Sequence, residues 1–270
     1  MIYRKETSLF FVSLVFSLLV GACLVLLPGQ ALACTGIECL PDTIVRVKPA
    51  IVGIGTVQKT RRPPGVLGGT GFVVADGNHV VTNAHVIPEK LNKRYNEFLA
   101  VFTGQDKEVS FVRAEVVLTD MIHDLALLKI TGERLPAVEF GNDEKVREGE
   151  LYALSGYPLG AALGLHVVTH RCLISAITPI MLPVFRGGKL DRSRVEHLMD
   201  PFPIFQVDGT AYPGNSGSPL YDIKTGAVVG IVNMVLVKGA KENAITDPSG
   251  ITYAIPIRHV KALLDEANVN

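Results

Sequence analysis

Short β-branched runs cut by Gly, Pro, Asn and Asp set the strongest limit on what this chain can fold into. Such runs fall at 43–47, 51–57, 71–75, 79–82, 98–102, 114–118 and 125–130. A polar, turn-rich stretch at 132–150 follows, and the pattern resumes at 151–155, 166–174, 204–207, 228–234 and 251–254. Asp76-Gly77 reads as a hairpin turn and Thr225-Gly226 as another tight turn. Helical spacing enters only after Pro256, where Ile257, Val260, Leu263 and Leu264 share one face. Many short strands with one terminal helix predict an all-β chain built from barrels or a sandwich. They exclude an α/β sheet, which needs helices between its strands. The 132–150 stretch is expected to link two halves.

The N-terminus has a different character. Arg4 and Lys5 precede an apolar stretch at 9–27, and Ala31-Leu32-Ala33 supplies a small-residue cleavage pattern. That order of charge, apolar residues and small residues predicts an export signal over 1–33. The apolar stretch is also long enough to span a bilayer of roughly 30 Å as an uncleaved anchor. A third reading takes Leu19-Val20-Gly21-Ala22-Cys23 as a lipobox. All three place the folded part outside the cytoplasm, with membrane contact only through this segment.

The 270 residues carry 26 Lys+Arg and 26 Asp+Glu, so no net field favours nucleic acid. Lys59, Arg61 and Arg62, beside Pro63-Pro64-Gly65, read as decoration on an exposed loop. In an oxidising compartment Cys34 and Cys39 could pair across the loop between them. Cys172 is expected to be a buried, unreactive thiol. No metal site is expected, because Cys34 and Cys39 lack two further ligands at suitable spacing, and no cofactor is implied.

Three short motifs carry chemistry. The first is Tyr212-Pro213-Gly214-Asn215-Ser216-Gly217-Ser218-Pro219-Leu220. A serine hydroxyl is a weak nucleophile without an adjacent base, and its reaction needs N–H groups aimed at an oxyanion. Gly214 and Gly217 would let the backbone turn tightly around Ser216. The second motif is Val80-Val81-Thr82-Asn83-Ala84-His85-Val86, which displays a histidine at a strand end. In the third, Asp124 opens the apolar run Leu125-Ala126-Leu127-Leu128. A carboxylate there needs a partner, and an imidazole Nδ1–H would serve, leaving Nε2 free as a base. Each motif alone is weak: an ordinary turn, a random histidine among seven, a surface Asp. Their order, His85, Asp124, Ser216, is that of the chymotrypsin arrangement and not of the α/β-hydrolases. Ser218 also breaks the nucleophile-elbow pattern, which requires glycine there.

These residues resemble the trypsin-like peptidases, and within them the HtrA/DegP-like branch. Thr82-Asn83-Ala84-His85-Val86, Asp124-Leu125-Ala126-Leu127-Leu128-Lys129 and Gly214-Asn215-Ser216-Gly217 match that branch's triad motifs. Gly69-Thr70-Gly71-Phe72-Val73, Ser155-Gly156-Tyr157-Pro158-Leu159-Gly160, Gln206-Val207-Asp208 and the stretch 250–256 are similar to its flanking segments. The resemblance covers roughly 44–267. It implies two packed six-stranded antiparallel barrels, about 44–140 and 150–256, with a C-terminal helix about 257–267. It also implies an exported or periplasmic serine endopeptidase acting on polypeptides, with His85, Asp124 and Ser216 as catalytic triad. Gly214, Asn215 and Ser216 would form the oxyanion hole. Thr210, Ala211, Tyr212, Asn233, Met234, Val235 and Leu236 would line a substrate pocket suited to small or medium apolar side chains.

Departures from the branch sharpen the expectation. Its members commonly carry PDZ domains after the protease, and this sequence ends too soon after Ser216 to hold one. Ser218 stands where glycine is usual, and Arg171-Cys172 replaces another glycine-rich stretch. Digestive-type relatives place Asp before the nucleophile to pair with a new N-terminus; Asn215 cannot do so, and ordering of the 178–203 loop is the expected control instead. A catalytically silent peptide-binding domain and an esterase using the same groups are the alternatives. The oligomeric state is left open.

Overall fold

The computed structural model describes residues 36–104, 109–158, 165–180, 201–210, 212–233 and 251–269. It divides into Met1–Gly36, of which only Gly36 is described, and Ile37–Asn270, which holds the fold. The expected signal at 1–33 and most of the 178–203 connection (181–200) lie outside the described residues.

Twelve strands close into two antiparallel barrels, as the resemblance implied. The first runs in the order β1 (Ile51–Val57), β2 (Gly65–Val74), β3 (His79–Asn83), β6 (Leu125–Ile130), β5 (Ser110–Asp120), β4 (Phe98–Thr103). The second runs β10 (Pro219–Asp222), β11 (Val228–Asn233), β12 (Thr252–Pro256), β9 (Pro203–Val207), β8 (Val168–Pro179), β7 (Leu151–Gly156). Closure leaves no open edge to pair with another chain. β6 and β11 read as near-continuous apolar runs because both of their faces are covered: Leu125, Leu127 and Leu128 are all fully buried.

One expectation fails at the start. The stretch 43–47 was expected as a strand, but Leu40–Val47 forms a helix, α1, with Pro41 in its first turn. Its β-branched residues favour a strand only while they are considered locally. Helical spacing puts Thr43 and Val47 on one buried face while Val45 is 73% exposed. Thr43 Oγ1 and Arg46 Nη2 both donate to the Lys224 carbonyl, which fastens α1 to the β10–β11 turn. Gly226 in that turn has φ +79° and lies under Val47, so a side chain there would collide with Val47 Cγ2. Other differences are of extent. β2, β5 and β8 are longer than expected, and β10 was not expected at all. The described ends of the 178–203 connection are a ladder, with Thr178 opposite Ile204.

The largest core joins the barrels. Phe72, Val81, Leu125 and Leu127 of the first pack with Tyr221, Val228, Ile231 and Ile255 of the second. The terminal helix α2 (Ile257–Glu266) adds Ile257, Val260, Leu263 and Leu264, the face expected from their spacing. Arg258 pairs with Asp143, and Lys261 Nζ donates to the Gly141 carbonyl at 2.8 Å. The helix therefore pins the connection between the barrels.

Candidate active site

Antiparallel pairing brings the histidine and the aspartate together. Asn83 at the end of β3 lies opposite Leu125 at the start of β6. The next residues outward on each side are therefore Ala84-His85 and Asp124. Asp124 adopts φ +52°, a left-handed turn that Asp tolerates better than most residues. Its backbone carbonyl accepts from Ala84 N at 3.0 Å and from Asn83 Nδ2 at 3.1 Å. Its carboxylate then accepts from His85 N (Oδ1, 2.8 Å) and from His85 Nδ1 (Oδ2, 2.5 Å). Two bonds to one residue fix both the imidazole plane and its tautomer, with Nδ1 carrying hydrogen and Nε2 left as acceptor.

Ser216 comes from the second barrel, in the turn before β10. Its Oγ lies 2.9 Å from His85 Nε2, which completes a chain from hydroxyl through imidazole to carboxylate. The turn is built from local bonds: Asn215 N donates to the Tyr212 carbonyl and Ser218 N to the Asn215 carbonyl. Gly214 and Gly217 both have positive φ, +103° and +86°. At Gly217 a side chain is also excluded by contact, since a Cβ would sit 2.0 Å from the Thr70 carbonyl. Among the described residues, neither Gly214 N nor Ser216 N has an acceptor. These two N–H groups can therefore serve a negative oxygen. Asn215 is fully buried; its backbone shapes the turn, and among the described residues its side-chain amide has no hydrogen-bond partner.

Two supports were not expected from the sequence. Asn233, at the end of β11, is 2% exposed and donates from Nδ2 to Asp124 Oδ2 at 2.8 Å. The sequence suggested a pocket wall for this residue; its amide is turned to the carboxylate. Thr70 of β2 reaches across from the first barrel: its N–H donates to the Ser216 carbonyl (2.8 Å) and its Oγ1 to the Gly214 carbonyl (2.7 Å). Thr70 Oγ1 also accepts from Tyr157 N, and its carbonyl accepts from Thr82 Oγ1. A small polar residue inside the glycine-rich run Gly68-Gly69-Thr70-Gly71 was the one available signal for this role.

The expected pocket is partly described. Thr210 and Tyr212 are half-buried beside the nucleophile turn; Ala211, Met234, Val235 and Leu236 lie outside the described residues. His170 of β8 faces Tyr212 with ring centroids 6.3 Å apart, and burial lowers its basicity. Cys172 is free, 2% exposed, and its thiol is pushed up to about 12 by burial and then by Asp208. Cys39 is disulfide-bonded, while Cys34 lies outside the described residues. No group of three metal-ligating side chains occurs among the described residues.

The profile of the trypsin-like peptidase domain matches residues 69–231. A "Probable periplasmic serine endoprotease DegP-like" of Pseudomonas putida is 28% identical over 274 residues, covering 86% of this chain and 50% of the relative. A protein of the same name from Chlamydia trachomatis is 30% identical over 216 residues, covering 79% of this chain and 37% of its own length. Serine protease HTRA1B of Danio rerio is 29% identical over 235 residues, covering 85% and 41%. The chain thus spans half or less of these curated relatives. Among solved structures, the HtrA-type protease AlgW, with a serine-to-alanine substitution and a tripeptide, shares the fold. Its TM-score is 0.57 at 21% identity, with 86% of this chain and 63% of that one covered. With the profile spanning more than half of its length and HtrA/DegP-like relatives over most of it, the chain belongs to the trypsin-like peptidase domain family.

Proposed function

We propose that this chain is a serine endopeptidase that hydrolyses polypeptides through an acyl-enzyme, with His85, Asp124 and Ser216 as its triad. The observation carrying the proposal is the unbroken hydrogen-bonded line from Ser216 Oγ through His85 to Asp124. His85 Nε2 takes the Ser216 hydroxyl proton as Oγ attacks a peptide carbonyl. The N–H groups of Gly214 and Ser216 bind the oxygen that becomes negative. His85 then gives the proton to the leaving amine, and the same base activates the water that releases the acyl group. Asp124 holds the imidazole and stabilises its charged form, and Asn233 holds Asp124. No metal or cofactor takes part in these steps.

Thr210, Ala211, Tyr212 and residues 233–236 are the proposed pocket for the side chain before the cleaved bond. It accepts small or medium apolar groups, since no acidic residue stands at Thr210. The chain works outside the cytoplasm, with 1–33 as signal or anchor. The disulfide at Cys39 and the periplasmic names of relatives support that placement. The 178–203 connection is the proposed control element.

A fluorophosphonate probe and unfolded casein test the proposal together. The wild-type protein is expected to take the probe and to degrade casein, and Ser216→Ala is expected to do neither. Loss of a triad member corresponds to a fall of about 10⁴–10⁶ in kcat. Casein turnover by Ser216→Ala near the wild-type rate would refute the assignment; labelling without casein cleavage would point to an esterase.

A further inference from the structure

We infer that the leaving-group side of the cleft is a cationic surface that selects polypeptides with Asp or Glu shortly after the cleaved bond. The inference rests on the proposed peptidase reading and specifies its substrate class.

The topology puts the surface in place. β2 pairs with β1 and β3, β1 with β4, and β3 with β6, all antiparallel. The β1–β2 loop (58–64) and the β3–β4 loop (84–97) therefore leave the same end of the first barrel. That is the end where His85 and Asp124 sit. Val57 pairs with Phe98, so the two loops lie side by side. Arg61 and Glu97 bind them together at 2.8 Å, and Glu97 also accepts from Thr56 Oγ1 and Asn92 N.

The direction of the substrate follows from the chemistry. The leaving amine must lie at His85 Nε2 to receive its proton, while the acyl part is held by the second barrel, which supplies Ser216 and the anion-binding N–H groups. The chain beyond the cleaved bond accordingly runs over the first barrel's end. β2 marks its course, because Thr70 N is bonded to the Ser216 carbonyl and Gly65 begins the strand five residues earlier. At about 3.3 Å per residue, an extended leaving segment reaches the loops within roughly five residues.

Those loops are unlike the rest of a chain with balanced charge. They carry Lys59, Arg61, Arg62, Lys90, Lys93 and Arg94 against Glu89 and Glu97. Glu97 is already consumed: the Asn92 N–H, then Thr56 and Arg61, hold its carboxyl below the usual range. Lys59, Arg62, Lys90, Lys93 and Arg94 are exposed, with the Arg94 guanidinium 5.7 Å from the Tyr95 ring centroid. Apart from Arg61–Glu97, no ion pair among the described residues engages these cations. Two or three carboxylates in the leaving segment would each find one within reach. Such contacts are individually weak, screened by salt, and effective together in selection and encounter.

The test uses paired fluorogenic peptides, identical up to the cleaved bond and followed by a segment rich in Glu or in Gln. The reading is the ratio of kcat/KM within each protein. Wild type is expected to prefer the Glu peptide about tenfold at low salt. That ratio should collapse toward unity at about 0.5 M NaCl and in the double variant Lys93→Glu, Arg94→Glu. A wild-type ratio near one, or a ratio that the double variant leaves intact, would overturn the inference. A second arm measures anisotropy of a fluorescein-labelled Glu-rich pentapeptide and its Gln counterpart. Should neither peptide be cleaved, the peptidase reading fails. Salt-sensitive binding of the Glu peptide alone would then uphold the surface, and equal binding of both would overturn it.

Discussion

Acid should weaken the fold through His259 before it reaches the carboxylates. His259, on α2, stacks on His123 with ring centroids 3.8 Å apart, and Phe202 closes the group at 5.0 Å. His123 Nδ1 bonds Asp120 Oδ2, while His259 Nε2 is buried without a hydrogen-bond partner among the described residues. Burial, then the positive charges of His123 and Arg258, push the His259 imidazole down to about 4. Asp120 and Asp143 oppose this but do not prevail. In the unfolded chain the same ring titrates near 6.5.

Between those values the unfolded chain binds the extra proton, so stability falls as pH drops from about 6.5 to about 4 and is constant on either side. The slope cannot exceed about 1.4 kcal/mol per pH unit, and the whole difference corresponds to about 3 kcal/mol. Solvent at the half-buried ring reduces this to about 1–2 kcal/mol. His259→Phe keeps the stack and removes the titration. Urea unfolding of both proteins from pH 7 to 4.5 should show the wild type losing that amount relative to the variant, with unchanged m-values. Asp120 and Glu97 have lowered pKa values and contribute mainly below this window. Parallel stability curves for the two proteins would refute the reasoning.

Asn233→Ala removes one charge-assisted bond to Asp124, and kcat/KM should fall about tenfold to a hundredfold. A positioning role predicts that kcat carries the loss while KM for a short substrate stays put. Gly217→Ala forces a Cβ against the Thr70 carbonyl at a positive φ; it should cost more than about 3 kcal/mol in urea unfolding and abolish probe labelling. Cys172 should resist iodoacetamide at pH 8 in the native protein and react once urea unfolds it, because only the exposed thiol can ionise there.

The sequence disclosed what depends on local pattern and little that depends on register. Leu125-Ala126-Leu127-Leu128 is a buried strand in either description, and the face of α2 follows from four residues at helical spacing. The stretch 43–47 misled because β-branched residues favour strands until Thr43 and Val47 find a shared buried face. β10 was missed because its four residues begin at Pro219, directly after a glycine turn. The three chemical motifs were legible through their order, since each needs a specific residue at a strand end. The contacts of Asn233 and Thr70 were not, since the glycine-rich run around Thr70 marks a tight approach without naming its partner, and Asn233 was read as a pocket wall. Asn233 meets Asp124 only when the barrels pack, across 109 positions of sequence, and Thr70 meets Gly214 across 144.

The Thr70 contacts make the candidate site depend on both barrels at once. The first barrel, made first, carries His85 and Asp124, while the hydroxyl that His85 meets lies in the second. The second brings Ser216 on a turn whose carbonyls at 214 and 216 are anchored by Thr70 of the first. Neither half alone holds the whole constellation, so its three residues meet only where the two barrels pack. On the proposed peptidase reading, a half-folded copy would hold a base without its hydroxyl, or a hydroxyl without its base.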